Sequence, residues 1–310
     1  MRAAPATLAV LLAIASVAGC DDGGASAPHA APQSPLAAVP ASAATIADPL
    51  GFLVQTRCPN GGPPTGCAAP ARQRAADPMF YRRHDWPAPS GYQTDDSVLR
   101  DDGKAVIDLF SFAPFEGFVA AHGDGGQIMV ADSDTVRIAQ TQDGGTPGMQ
   151  YFVGPNCGGT GWIAFRTDAP TGRYAALVAT LSDRPDPNAC PRRLAKAYTR
   201  YRLETIALPF IIGDARRDLT APTVISEHYD RDTVERATAM ERTYFAQGWG
   251  LVRWEAWTAS GRAGSGLDRR CPPLAYSEAP AAGWRLADCR IWTNIAPADG
   301  SLSVDGVGWP

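Results

Sequence analysis

The chain has 310 residues, with 28 Lys and Arg against 32 Asp and Glu, and a net charge of −4. So mildly acidic a chain carries no electrostatic footprint for nucleic acid. Its seven cysteines, 31 glycines and 27 prolines mark frequent turns and a covalent framework.

Residues 1–19 hold one cation, Arg2, and an apolar run from Leu8 to Ala18. The run is too short to span a bilayer, which takes roughly 20 apolar residues. It fits the core of a secretory signal peptide with small residues at the cut. Val17-Ala18-Gly19-Cys20 resembles the lipobox of bacterial lipoproteins. The resemblance implies a lipid on the Cys20 thiol, cleavage just before it, and a bilayer partner in the bacterial envelope, on the periplasmic side or at the cell surface. Stable anchoring takes more than one acyl chain, and bacterial lipoproteins usually carry two or three. Residues 20–48 are rich in Ala, Pro, Ser and Gly with no aromatic residue. Such a segment buries too little surface to offset its ordering entropy and is predicted to be a disordered tether spanning roughly 30 Å.

From Pro49 the composition changes, and residues 49–310 are predicted to form one domain. Strand signals recur: Ala105–Phe112, then Gln127–Val130 and Thr135–Ile138 about an Asp132-Ser-Asp134 turn, Met149–Val153, Trp162–Phe165, Tyr174–Thr180, Tyr198–Ile212 and Thr223–Tyr229. The clearest hairpin joins Arg242–Ala246 to Leu251–Trp257, with Gly248 and Gly250 able to take positive φ at the turn. One short helix is predicted, capped by Asp232, with Val234, Ala237 and Met240 at helical spacing. Many strands with Gly/Pro turns and little helix indicate an all-β fold, a β-sandwich or jelly roll.

With Cys20 assigned to lipid, six cysteines remain. Export makes disulfides the default over metal or redox roles. Of the fifteen pairings that six cysteines allow, the expectation is the nearest-neighbour one: Cys58–Cys67, Cys157–Cys190 and Cys271–Cys289.

The strong catalytic signatures are missing. There is no His-Glu-x-x-His, no phosphate loop ending in Lys-Ser/Thr and no Gly-x-Ser-x-Gly elbow. Only His84, His122 and His228 lie outside the tether, so a closed histidine-only zinc site is not expected; no metal and no cofactor is implied. Three polar groupings remain. The first gathers His84, Asp85 and Trp86 with nearby arginines and Tyr92, as a sugar-binding loop or an ordinary surface turn. The second is Ser226-Glu227-His228-Tyr229, where strand alternation sends Glu227 and His228 to opposite faces. The third is the hairpin around Trp249, in which Arg253, Glu255 and Trp257 share a face while Val252, Trp254 and Ala256 share the other. If the apolar face packs inward, the first face offers an Arg–Glu pair beside an indole, a platform for a sugar ring; the alternative is a cross-strand ion pair worth little at the surface.

The segment Tyr244–Arg253, reading Tyr-Phe-Ala-Gln-Gly-Trp-Gly-Leu-Val-Arg, is similar to a Tyr-x-x-Gly-x-Gly-x-Val-Lys hairpin found in β-sheet bacterial envelope proteins. Tyr244-Phe245 and Gln127-Ile128 also resemble short blocks of jelly-roll alginate lyases, with Met129 and Ala246 where that family has histidine and lysine. The first resemblance implies a hairpin and an envelope setting; the second implies a lyase. The function expected is binding of a glycan or another envelope component. The alternatives are a polysaccharide-active enzyme and a purely structural assembly protein. A glycosidase would need two carboxylates about 5–10 Å apart, from Glu227, Glu241 and Glu255; a lyase would use His228 or Tyr244 as base.

Overall fold

Period-two alternation becomes strand throughout the computed structural model of the chain. It describes residues 46–59, 67–74, 80–85, 92–100, 102–112, 125–142, 150–155, 161–184, 193–212, 215–259, 275–292 and 294–297. Ile46 already belongs to the body: it is buried, and its N–H donates to Thr167 O at 2.7 Å. A 3-10 turn, Pro49–Phe52, follows, with the Asp48 carboxylate accepting from the Gly51 N–H. Cys20 and the predicted tether up to residue 45 lie outside the described residues.

β1 (Thr56–Arg57) and β2 (Ala71–Arg72) form a small antiparallel pair. The Cys58–Cys67 disulfide closes the loop between them, with Cα atoms 5.7 Å apart. An antiparallel meander follows: β3 (Phe80–Asp85), β4 (Tyr92–Leu99), β5 (Ala105–Phe112), β6 (Gly125–Ala131) and β7 (Thr135–Gln142). β8 (Gln150–Val153) and β9 (Trp162–Arg166) share the remaining edge of β7. The second meander is β10 (Ala175–Arg184), β11 (Ala195–Ile212), β12 (Ala215–Tyr229), β13 (Ala239–Ala246), β14 (Gly250–Ala259) and β15 (Trp284–Ile291). β16 (Asn294–Pro297) runs parallel to the end of β11 and antiparallel to β3. β10 pairs with both β8 and β11, so β11 carries β10 at its start and β16 at its end along the edge opposite β12.

The two meanders pack as a β-sandwich. Val106, Met129, Val136, Trp162 and Phe165 meet Ala197, Tyr201, Val224 and Phe245 in one buried cluster, and the Phe165 and Phe245 rings lie 6.0 Å apart. Each such large side chain, fully buried, contributes about 1.5–3 kcal/mol. β11 is 18 residues long and serves two cores. Its odd positions Ala197, Thr199 and Tyr201 are buried toward the sandwich, while its even positions Ile206, Leu208 and Phe210 are buried on the outer face. That outer face carries two clusters of its own, one around Ile225, Tyr244, Trp249 and Val252, the other around Tyr229, Met240, Trp257 and Trp284.

The β13–β14 hairpin turns where its glycines allow, with Gly248 and Gly250 at φ 81 and 71. The helix expected from Asp232 does not form. Ala237 N–H reaches Thr233 O at 3.0 Å and closes one turn. Then the Asp230 carboxylate takes the Thr238 and Ala239 N–H groups at 2.8 and 3.2 Å and draws the chain into β13. Of the other disulfides, Cys289 is buried and disulfide-bonded; Cys157, Cys190 and Cys271 lie outside the described residues.

Candidate functional site

Register does the assembly. Across β11, β12, β13 and β14 the Cα partners run Arg200↔Glu227↔Arg242↔Glu255. Four charges of alternating sign thus stand in one row on the outer face of the sheet. Glu227 and Glu255 are wholly buried, and Arg242 is 1 % exposed.

Every acceptor in the row is used. The Glu227 carboxylate takes Arg242 Nε at 2.9 Å, Tyr174 Oη–H at 2.6 Å, Arg200 Nε and the Tyr229 hydroxyl. The Glu255 carboxylate takes Arg242 Nη1 at 3.0 Å, Trp257 Nε1 at 2.9 Å, Ser277 Oγ–H at 2.6 Å and Arg253 Nη2. Arg242 also donates to Tyr276 O at 3.2 Å and Glu278 O at 2.8 Å. Arg253 donates to Ala275 O at 3.2 Å and Tyr244 Oη–H to Tyr276 O at 2.8 Å. Residues 275–278 therefore lie over the row as a strap, held by their backbone carbonyls. Burial alone would push the Glu227 carboxyl up, but the Arg242 and Arg200 guanidiniums outweigh it and hold it below the usual carboxylate range. Burial, then the Glu227 charge, push the Tyr174 and Tyr229 hydroxyls far up, so both stay protonated donors.

The other face of the same strands is neutral. His228 stacks on Trp162 at 5.0 Å, its Nε2 lies 3.0 Å from Ser226 Oγ, and Ser226 Oγ–H donates to Ala164 O at 2.5 Å. Burial lowers the His228 pKa to about 4, opposed only in part by the Ala164 carbonyl and the Glu227 charge. In an activated nucleophile the serine hydroxyl donates to the imidazole, whereas Ser226 gives its one proton to Ala164 O and is left to accept from Nε2–H. Here both residues are buried inside the sandwich, Ser226 completely, so no substrate reaches them.

The predicted site residues are thus divided. Glu227, Glu255 and Tyr244 lie on the outer face; Glu241, half-buried and opposite His228 in register, lies on the inner one. They do not line one cleft. The open sugar platform is overturned: Arg253 and Trp257 are 7 % and 5 % exposed, and Trp249 is buried against Phe210 with rings 4.1 Å apart. The cause is that both faces of β12–β14 are covered, one by the opposite sheet and one by the outer clusters and the strap. A bulge opposite Tyr244–Phe245 also sends Val252 to the outer cluster instead of the face of Trp254. His84 and Asp85 stand on β3 opposite Gln93 and Tyr92; Trp86 lies outside the described residues.

Sequence reasoning missed Arg200, Arg242, Tyr174 and the strap. The alternation of Arg200, Arg202 and Glu204 at every second residue is the signal for the first; Tyr174 and the strap come from loops without periodicity. An open cleft of about 530 Å³ lies elsewhere, lined by Asp48, Thr56, Arg72, Arg74, Leu99 and Gln247 among others, and no candidate residue reaches it. Among the described residues no three of His, Cys, Asp and Glu converge in a way that could hold a metal ion. Comparison of the chain with known protein families, with curated proteins and with solved structures finds no match.

Proposed function

We propose that the chain is a lipid-anchored bacterial envelope protein, tethered through acylated Cys20, whose β-sandwich binds an envelope glycan without cleaving it. The observation that carries the non-catalytic half is the saturation of Glu227 and Glu255. A glycosidase acid must hold a transferable proton and reach the glycosidic oxygen. Glu227 is held ionised by two guanidiniums and receives four donors, while Glu255 lies under the strap. The bases a lyase would use fare no better: His228 is inside the sandwich, and the Tyr244 hydroxyl is raised by burial and spent on Tyr276 O. The sequence supplies the envelope half through Val17–Cys20 and the disulfide framework.

The test uses full-length protein made in a bacterial host and extracted in detergent. Mass spectrometry is expected to find diacyl or triacyl Cys20 as the first residue. Panels of neutral and acidic polysaccharides are expected to retain the protein and release no reducing ends or unsaturated products. Turnover that disappears in Glu227→Gln or Glu255→Gln would install the enzyme reading in its place; an uncut, unmodified N-terminus would remove the anchor.

A further inference from the structure

β12 is longer than its partner on one side. Its pairing with β11 runs unbroken from Ala215 to Tyr229, whereas its pairing with β13 begins only at Thr223. Among the described residues, no strand pairs with residues 215–221 along that second edge. Ala215, Arg216, Arg217, Asp218 and Thr220 are exposed there, the Arg216 and Asp218 side chains by 69 % and 73 %. The last bond on this side is Gln247 N–H to Pro222 O at 2.9 Å, so the Pro222 carbonyl points away from β11. Along a strand, successive residues turn their backbone groups to opposite sides, and no bulge interrupts the β11–β12 register. Thr220, Asp218 and Arg216 therefore also aim their N–H and C=O groups into the open edge. Such an edge is a template for another strand.

We infer that this edge of β12 is a self-association surface, on which two copies of the chain pair as antiparallel strands about a two-fold axis at Arg217. Charge selects both the occupant and the register. With the axis at Arg217, Arg216 stands opposite Asp218 of the second copy, and Asp218 opposite Arg216 of the second copy. Both pairs fall on residues whose backbone groups face outward, so each pair exchanges two N–H···O bonds. Moving the axis to Asp218 would set that carboxylate against its own copy, and like charges directly opposite are destabilising. Charges on an edge strand often guard it against pairing, and a guard of one sign would repel every copy. Here the signs alternate two residues apart, which makes the edge complementary to itself. Arg216 and Asp218 already meet within one chain at 2.8 Å. Two copies would extend them into a row of alternating sign, the device that the outer face uses in Arg200, Glu227, Arg242 and Glu255. Arg217 meets its own copy on the other face of the strand, where it is exposed and salt screens the repulsion.

The experiment is sedimentation velocity on full-length protein in detergent micelles over a concentration series. The wild type is expected to form a reversible dimer. Arg216→Asp leaves only acids at the facing positions and Asp218→Arg only arginines, so each is expected to weaken self-association about tenfold or more. Mixing the two variants is expected to restore the dimer, which also shows that both are folded. Arg217→Thr removes the repulsion at the axis and is expected to tighten the wild-type dimer. Hydrogen exchange on the wild type gives a reading free of any substitution: the Arg216 and Asp218 amides are expected to slow as concentration rises, while those of Arg217 and Leu219, turned toward β11, stay unchanged. A wild type that remains monomeric throughout overturns the inference. A dimer indifferent to Arg216→Asp and Asp218→Arg places the interface elsewhere and overturns it too, as does a mixture of the two variants that stays monomeric.

Discussion

The two faces of β11–β14 bury polar groups by opposite means. On the outer face, charges are kept and matched: Arg200, Glu227, Arg242 and Glu255 alternate in register, and both oxygens of each carboxylate take donors. On the inner face, charge is removed: His228 is neutral against Trp162 and shares a hydroxyl and a carbonyl with Ser226 and Ala164. Charge matching is brittle, because desolvation is repaid only while every partner is present. It also polices register. A one-residue slip of a strand turns all its side chains to the other face, and here it would drive that strand's charge of the row into the sandwich and leave its neighbours unmatched. Neutralising is cheaper but ties stability to pH.

Breaking the matched face has the largest expected effect. Arg242→Leu leaves Glu227 and Glu255 buried beside Arg200 and Arg253 alone. Removing one partner of a buried pair costs about 3–5 kcal/mol, and the loss is expected in urea denaturation. A loss below about 1 kcal/mol would mean that the row is wet and that its charges are screened.

The neutral face is tested with acid. The folded His228 pKa, about 4, lies below the unfolded value of 6.5. Above pH 6.5 both states are neutral and nothing is lost. As pH falls, the unfolded chain takes the proton first, so stability drops between about pH 6.5 and 4, in total on the order of 3 kcal/mol. Glu227 acts in a different window. Its folded pKa is depressed below 4.5, so its contribution is present above that pH and lost only beneath it. Urea midpoints at pH 7, 5.5 and 4.5 are expected to fall in the wild type and to stay nearly level in His228→Gln. Parallel curves for the two proteins would show that the imidazole is not the sensor.

Much of this was open to sequence reasoning, and the rest fails for one physical reason. Gly248 and Gly250 placed the β13–β14 turn, Asp132–Asp134 placed the β6–β7 turn, and Cys58 found Cys67 across the β1–β2 loop. Alternation also put Glu227 and His228 on opposite faces, as they are. What alternation cannot tell is whether a polar face meets water or a second buried layer. Arg253, Glu255 and Trp257 have the pattern of an exposed stripe, yet the strap 275–278 and the cluster around Tyr229, Trp257 and Trp284 cover them. The strap has no period of its own. Apart from the Ser277 hydroxyl on Glu255 it is held by carbonyl oxygens, which every sequence has. The false helix at Asp232 failed similarly, because the side chain that ends it, Asp230, binds eight and nine residues ahead.

A third buried polar group uses neither means. Gln55 is wholly buried, and both polar atoms of its amide lack a partner. An unmet buried group costs roughly 1–3 kcal/mol. Gln55→Met, close in shape and without the amide, is expected to raise the urea midpoint by a comparable amount; a destabilised variant would reveal a partner, such as a bound water, for this amide.

The smallest effect is expected at Arg202, and there smallness is the point. Its guanidinium is only loosely paired, to Glu204 at 3.3 Å and to Glu278 at 4.0 Å, so the protein gains little from it. Arg202→Met keeps a long stem for packing between Tyr174 and Tyr276 and removes a buried Nε–H that makes no hydrogen bond. What it gives up is the ring contacts and the loose pairing with Glu204 at 3.3 Å. These terms oppose one another, so the change in unfolding free energy is expected to stay within about 1 kcal/mol, in the range of weak ion pairs. Set beside Arg242→Leu, with both side chains on one face of one sheet, the gap separates an arginine that the fold needs from one that it only holds in place. A loss at Arg202 as large as that at Arg242 would make both structural and would erase the distinction between them.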